Sequence, residues 1–335
     1  MVSLDKRAEG IAARKGIMDE MITRAAVVQA APILFDTART LEKLADLTRD
    51  SAAQGAELVV FPEAFVGGYP KGWDFGARLG QRSEAGREDF RRYFESAIEL
   101  QSPEGKLLGE AARANGVHLV VGIVERDRGT LYCTAVTYSP EGRLLGKHRK
   151  VMPTALERLV WGFGDGSTLP VFNTGIGRLG SVICWENYMP MLRMAMYAQG
   201  IELYCAPTVD DRETWLPTMR AIAIEGRCFV LSACQYLTLS DFPPSYAALL
   251  GENPPKILIR GGSCIVDPFG RVLVEPNFER ETIQLAQLDR QAIARGKYDL
   301  DVTGHYARPD IFKLIVDTSV KQPVIFEGGD IEPKP

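Results

Sequence analysis

From Arg24 onward the apolar positions switch between two periods. The run Ala25–Ala31 is nearly continuous, Leu41, Leu44, Ala45, Leu47 and Ala52 recur at helical spacing, and Ala56-Glu-Leu-Val-Val-Phe-Pro-Glu63 is again a compact apolar run. This pattern predicts strand, helix, strand. Ser83 to Ala114 reads as helix interrupted near Pro103, and Val117–Glu125 as a strand running to a turn at Asp127-Arg-Gly129. Two hairpins follow. Leu131–Tyr138 and Arg143–Lys147 flank Ser139-Pro-Glu-Gly142, and Val171–Asn173 and Leu179–Cys184 flank Thr174-Gly-Ile-Gly177. A helix is expected from about Asn187, an N-cap residue type, with Pro190 in its first turn and Gly200 closing it. Further strands are expected at Glu202–Pro207, Cys228–Cys234, Gly262–Val266, Arg271–Val274 and Thr282–Leu288, with a helix over Thr214–Arg227.

Strand–helix units mixed with hairpins, undivided by any Pro-, Gly- or Ser-rich linker, point to an α/β fold in which mixed sheets pack together and helices cover the outside; four layers suit the length. Leu237–Ile257, rich in Pro and polar residues, reads as a long surface loop suited to a lid or a subunit contact. Residues 1–23 read as an N-terminal extension in which Ile11, Ile17, Met18, Met21 and Ile22 line a short amphipathic helix, and Met18 and Met21 offer alternative starts. Residues 317–335 read as a flexible or interface-forming tail.

Composition narrows the function classes. A chain of 335 residues with 46% hydrophobic content can bury a substantial core. A net charge of −4 and the lack of a basic stripe interleaved with aromatics argue against a nucleic-acid partner. No run approaches a membrane span or the apolar core of a signal peptide, and the six cysteines form no CxxC pair, which together suggest a reduced, cytoplasmic protein.

Common signatures such as a Walker A loop, HExxH, GxSxG and an EF-hand are absent. Gly175-Ile-Gly-Arg-Leu-Gly180 fits GxGxxG, but a strand and not a helix follows it, so it reads as a hairpin turn. The three histidines, His118, His148 and His305, have no ligand spacing, and a cysteine nucleophile here needs a base other than histidine. Five cysteines read as core residues. Cys184 differs: it ends the apolar run Gly180-Ser-Val-Ile-Cys184 at a strand-to-helix turn, where unpaired backbone N–H groups favour thiolate. Glu63 leaves a buried strand end at the sheet edge where α/β folds bind ligands; burial there raises a carboxyl pKa and suits it to taking a proton, although an ordinary surface glutamate has the same spacing. Lys150 closes the cluster Lys147-His-Arg-Lys150, a pattern also typical of a solvated face. Glu157 and the glycine-bracketed loop Trp161-Gly-Phe-Gly-Asp-Gly166 lie just beyond.

Taken together these segments resemble nitrilases, in particular the plant-like branch of that family. The resemblance rests on Phe-Pro-Glu63 with Gly-Gly-Tyr-Pro70, Lys-His-Arg-Lys150 with Met-Pro-Thr154 and Glu-Arg158, Trp161–Ser167, Cys184-Trp-Glu-Asn-Tyr-Met-Pro190, Glu202–Thr208, Ile224–Gln235 and Gly304–Pro309. It covers residues 24–316 and excludes the N-terminal segment. It implies an αββα sandwich, dimers that pair their sheets, and growth into spirals or filaments. It also implies that Glu63 is the general base, Lys150 the cation beside developing negative charge, Cys184 the nucleophile and Glu157 the second pocket glutamate.

On this reading the substrate is a small organic nitrile and the product a carboxylic acid with ammonia, formed through a thioimidate and a thioester on Cys184 with no metal or organic cofactor. Lys150 and the Trp185 backbone N–H stabilise the anionic nitrogen or oxygen. Tyr69, Trp161, Trp185 and Thr208 are expected as pocket walls. Two enzyme alternatives share the Cys-Glu-Lys set: an amidase or carbamoyl hydrolase, and a hydratase-type activity on cyanide or 3-cyanoalanine. A catalytically silent oligomeric binding protein is a third.

Overall fold

The computed structural model describes residues 21–247, 250 and 253–324. In chain order the elements are β1 (Ile22–Gln29), α1 (Thr37–Ala53), β2 (Leu58–Val60), α2 (Glu84–Ser96), α3 (Pro103–Asn115), β3 (His118–Asp127), β4 (Thr130–Tyr138), β5 (Leu144–Arg149), β6 (Val171–Thr174), β7 (Gly177–Ser181), α4 (Pro190–Ala198), β8 (Leu203–Cys205), α5 (Trp215–Gly226), β9 (Phe229–Ser232), β10 (Tyr236–Thr238), α6 (Pro244–Ala247), β11 (Ile257–Arg260), β12 (Cys264–Val266), β13 (Val272–Val274), β14 (Thr282–Asp289) and α7 (Gln291–Asp299). One six-stranded sheet has the order β14-β1-β2-β3-β4-β5 and the other β13-β12-β9-β8-β7-β6, while β10 and β11 form a separate pair.

Alternation within the strands builds the layers. Ala25, Val27, Leu58, Val60 and Val120 of the first sheet meet Leu179, Leu203, Cys205, Phe229, Leu231 and Ile265 of the second in one buried cluster. Their sequence neighbours point the opposite way: Ala26, Val28, Val59, Leu119 and Val121 pack on Leu41 and Leu44 of α1 and Leu108 and Ala112 of α3. Tyr204, Val230, Cys264 and Val266 pack on Met196 of α4 and on Met219, Ile222 and Ala223 of α5. Burial on both faces explains the continuous apolar runs, and the outcome is the expected αββα sandwich.

Most elements lie where the pattern places them, and the departures have local causes. β1 takes in Ile22 and Thr23, expected to fall in the extension, because they pair with Asp289 and Leu288 of β14. The amphipathic helix expected around Ile11, Ile17 and Met18 falls almost wholly outside the described residues. Asn187 is not the N-cap of the following helix, since its side chain donates inward to the carbonyls of Val182 and Cys184; α4 starts instead at Pro190 behind Met189. The segment after Leu237 is no mere surface loop, because Leu237, Phe242 and Tyr246 are buried and Tyr246 stands edge-on to Trp73 with ring centroids 4.3 Å apart. α7 has no counterpart among the elements expected from the sequence.

Candidate active site

Glu63, Lys150 and Cys184 come from three separate chain segments and meet in one buried place. Glu63 follows β2, where Phe61 N–H donates to the Val120 carbonyl and Val66 N–H to that of Gly122, so the intervening turn is laid across β3. This requires a glycine at 122: a Cβ there would stand 2.2 Å from the Pro62 carbonyl oxygen and 2.6 Å from Glu63 Cα. Gln235 Nε2, in the segment between β9 and β10, donates to the Glu63 carbonyl at 2.8 Å.

Lys150 continues the ladder of β5, its N–H donating to the Cys133 carbonyl at 2.8 Å. The basic run is therefore split by strand alternation and is not a solvated face. Lys147 and Arg149 point to Glu125, whereas His148 and Lys150 point inward and are buried. Lys150 Nζ donates to Glu63 Oε1 at 2.6 Å and to Glu157 Oε2 at 2.7 Å. Glu157 sits on a short 3-10 helix, Ala155–Leu159, where it also accepts from Thr154 N–H and from the Tyr69 hydroxyl at 2.8 Å.

Cys184 does not end the strand, as the sequence suggested. β7 stops at Ser181, and Cys184 opens a 3-10 helix, Cys184–Tyr188, with its own φ at +49°. Positive φ is costly for a residue with a side chain, and it turns the thiol out of the strand path into the cluster. Cys184 N–H donates to the Pro207 carbonyl at 2.9 Å, while the N–H of Trp185 donates to no acceptor among the described residues.

The electrostatics follow from burial. Desolvation raises Glu63 above the usual carboxylate range against the pull of Lys150. Desolvation would lower Lys150, but Glu63, Cys184, Cys133 and Glu157 outweigh it and hold the ammonium well above its usual value. Desolvation and then the Glu63 charge push the Cys184 thiol well up. The turn expected to favour thiolate thus holds a thiol at rest, beside a carboxylate whose Oε2 has no hydrogen-bond partner and a cation 2.6 Å from the same carboxylate.

Of the expected pocket walls, Tyr69 and Trp161 pack edge to face, and Lys150 Nζ lies 5.6 Å from the centroid of the buried Trp161 ring. The loop carrying Trp161 needs its glycines, since a Cβ on Gly164 would meet the Arg149 carbonyl oxygen at 2.1 Å. Thr208 is buried beside Cys184 and pulls against the upward push of burial on its thiol, and its hydroxyl accepts from Asp210 N–H at 2.9 Å. Trp185 is 43% exposed, and its indole is held by Asp210 and by Arg212, stacked 4.5 Å from the ring centroid, so only its backbone belongs to the cluster just described.

Residues 24–298 match the family model described as carbon-nitrogen hydrolase. The chain belongs to the carbon-nitrogen hydrolase family. Within it, the chain is 57% identical to Nitrilase blr3397 of Bradyrhizobium diazoefficiens, over 90% of this chain and 94% of that one, and 56% identical to the Aliphatic nitrilase of Sinorhizobium fredii, over 90% and 98%. It is 51% identical to Nitrilase 2 of Arabidopsis thaliana, over 93% of each chain. Among solved structures the fold resembles Saccharomyces cerevisiae Nit3, a member of branch 10 of the nitrilase superfamily, at a TM-score of 0.67 and 22% identity, covering 85% of this chain and 96% of that one. An amidase from Nesterenkonia sp. matches at a TM-score of 0.60 and 21% identity, over 83% and 95%.

Four residues packed at or next to this cluster are not singled out as site candidates by the sequence: Cys133, whose Sγ donates to Glu63 Oε1 at 3.5 Å, Gln235, His148 and Glu186. Cys133 was legible in principle. The hairpin turn at Ser139–Gly142 sets the β4–β5 register, Thr134 opposite Arg149, which puts Cys133 beside Lys150. Elsewhere, a groove of about 680 Å³ between α4 and residues 302–318 is lined by residues such as Met194, Tyr306 and Phe312 and includes none of the site residues. Among the described residues no His, Cys, Asp and Glu group is arranged to hold a metal ion, and no helix is long and apolar enough to cross a membrane.

Proposed function

We propose that the protein is a nitrilase that hydrolyses a small organic nitrile to the carboxylic acid and ammonia through a covalent adduct on Cys184. The observation that carries this reading is the buried meeting of a thiol, a carboxylate with a free oxygen and an ammonium. A neutral buried thiol is a poor nucleophile. Glu63 takes its proton as sulfur attacks the nitrile carbon, so no isolated thiolate accumulates. The C–S bond forms, one C–N π bond breaks, and the nitrogen takes up a proton to give a thioimidate. Water adds to that carbon, ammonia leaves with the nitrogen, and a thioester remains. A second water, deprotonated by Glu63 and held by Glu157, releases the acid and returns the thiol. Two waters are consumed for each nitrile.

Lys150 and the Trp185 N–H offer positive charge to the anionic nitrogen and later oxygen, an effect of about 10²–10³ in rate for one well-placed donor. Tyr69, Trp161 and Thr208 form walls that fit an aromatic, arylaliphatic or medium aliphatic nitrile. Loss of thiolate in place of ammonia from the tetrahedral species would give amide. A relative in Nicotiana tabacum, 52% identical, is named bifunctional nitrilase/nitrile hydratase, which supports amide as a by-product.

The same reading takes residues 24–316 as the catalytic domain and 317–335 as a tail, and includes a cytoplasmic homodimer that grows into spirals or filaments, which sedimentation and electron microscopy would test. The chemical test is a panel of matched nitriles and amides, with 3-cyanoalanine and cyanide included and Cys184→Ala as control. Acid and ammonia from nitriles, with the folded Cys184→Ala protein inactive, is the expected result. Amides consumed while nitriles persist, or turnover by Cys184→Ala, overturns it.

A further inference from the structure

Glu186 lies two residues after Cys184 but turns its side chain away from the reacting groups. Its Oε2 accepts from the backbone N–H of Ile183 at 2.9 Å, and its Oε1 accepts from the backbone N–H of Val151 at 2.5 Å. Those two N–H groups belong to the residue just before Cys184 and the residue just after Lys150. The carboxylate therefore caps the 3-10 helix that starts at the strained Cys184 and ties it to the end of β5 across the two sheets. The third donor is His148, whose Nε2 lies 2.9 Å from Glu186 Oε2. His148 Nδ1 in turn lies 2.6 Å from the Thr168 carbonyl. Side chains of the pair are 1% and 0% exposed.

Both ring nitrogens of His148 thus face acceptors, a carboxylate and a carbonyl. A neutral imidazole has only one N–H to give; only the imidazolium satisfies both. We infer that His148 and Glu186 are positioning residues, and that a protonated His148 holds the Glu186 bridge that fixes the distance between Cys184 and Lys150. Burial lowers the affinity of His148 for its proton, but the Glu186 charge, the hydrogen bond to it and the Thr168 carbonyl outweigh this and hold the histidine above its ordinary value. Among the described residues Glu186 is the charged group that faces it, since the flanking Lys147 and Arg149 face Glu125 on the other side of β5. The bridge is intact below the raised pKa of His148 and loses a hydrogen bond as pH rises through it. Lys150, held still higher by its carboxylates, keeps its charge over that range.

This inference rests on the roles given to Cys184 and Lys150, and the test separates the two. Full-length protein carrying His148→Leu, His148→Gln or Glu186→Gln is compared with wild type and Cys184→Ala. The measurements are thermal unfolding, kcat and KM for a nitrile across pH, and alkylation of Cys184 by iodoacetamide followed by peptide mass analysis. Glu186→Gln places a donor against backbone N–H groups and is expected to lower kcat by about 10²-fold, the cost of a small misplacement of reacting groups, with KM little changed and alkylation of Cys184 altered. His148→Leu lowers kcat in the same way, by about tenfold. His148→Gln keeps a donor for Glu186 that cannot titrate, so it is expected to restore most of kcat and to remove the alkaline fall expected of wild type. Folded His148→Leu and Glu186→Gln proteins with wild-type kcat and pH profile overturn the inference. If those two variants fail to fold, an unchanged alkaline limb in His148→Gln overturns it alone. Nitrile turnover by Cys184→Ala would instead remove the catalytic assignment beneath it.

Discussion

Lys150 Nζ stands 2.6 Å from Glu63 Oε1, and neither side chain is accessible to solvent. A buried charge is tolerable only when paired and hydrogen-bonded, and here one ammonium serves two carboxylates. Lys150→Met keeps much of the side chain's volume but leaves Glu63 and Glu157 facing each other without a cation. The expected result is a stability loss of about 3–5 kcal/mol, the usual cost of removing one partner of a buried pair. Turnover falls as well, by at least about 10²-fold. Denaturant melts and steady-state kinetics on the same preparation check both; wild-type kcat in the variant would remove Lys150 from the chemistry.

As the proposed general base, Glu63 is expected to set the acid side of the pH profile. Its folded pKa lies above the ordinary 4.5 because burial disfavours the carboxylate more than Lys150 restores it. The base acts only when ionised, so activity rises with pH through that raised value, and the acid limb of kcat/KM should lie above 4.5. Glu63→Gln should lose rate by at least about two orders of magnitude and lose that limb. A wild-type acid limb at or below the ordinary carboxylate value counts against this assignment.

Much of this is legible in the sequence because buried strands appear there as apolar runs. Leu58–Phe61 and Gly180–Ile183 mark a strand of each sheet and put Glu63 just past the first, whereas Cys184, read as the end of the second, lies beyond β7 on a 3-10 turn. Other features depend on pairing partners far along the chain. Lys150 and His148 share a basic run with Lys147 and Arg149, and only the β5 alternation, paired to β4, separates the two buried from the two partly exposed. Glu186, between Trp185 and Asn187, carries no mark of burial in the sequence. Its burial follows from the 3-10 turn after β7, whose positive φ at Cys184 has no signature in composition or period.

Gly122 is where the two kinds of information meet. Nothing in the run Val120-Val-Gly-Ile-Val124 marks the glycine as special, yet the Glu63 turn lies directly on it. Gly122→Ala places a methyl group 2.2 Å from the Pro62 carbonyl oxygen and 2.7 Å from Ala64 N, both backbone atoms that cannot swing away. The expected outcome is a loss of about 1–3 kcal/mol from overpacking together with a fall in kcat, since a shifted Glu63 no longer meets the thiol. Retained stability and retained kcat would show that the turn can move without consequence. Thermal melts and a nitrile assay read both.

Glu125 anchors the outer side of the strand that carries Lys150. Its oxygens accept from Lys147 Nζ at 2.5 Å, from Arg149 Nε at 2.8 Å and Nη2 at 2.7 Å, and from the Thr134 hydroxyl at 2.9 Å. Burial raises its pKa, but these cations more than reverse that and hold it below the usual value. A depressed folded pKa contributes stability that is fully present above the unfolded value and is lost as pH falls through the folded one. Wild type should therefore lose stability on acidification below about 4.5, the ordinary carboxylate value, and Glu125→Gln should lose less over the same range. At neutral pH the variant should be less stable by about 3 kcal/mol, the lower end for breaking a buried pair. The lower end applies because Lys147 and Arg149 remain 29% and 16% exposed and can turn to water. Its kcat should change far less than that of Lys150→Met, because the anchor acts on the strand and not on the reacting atoms. Equal acid sensitivity in wild type and Glu125→Gln would mean that other carboxylates dominate the acid transition.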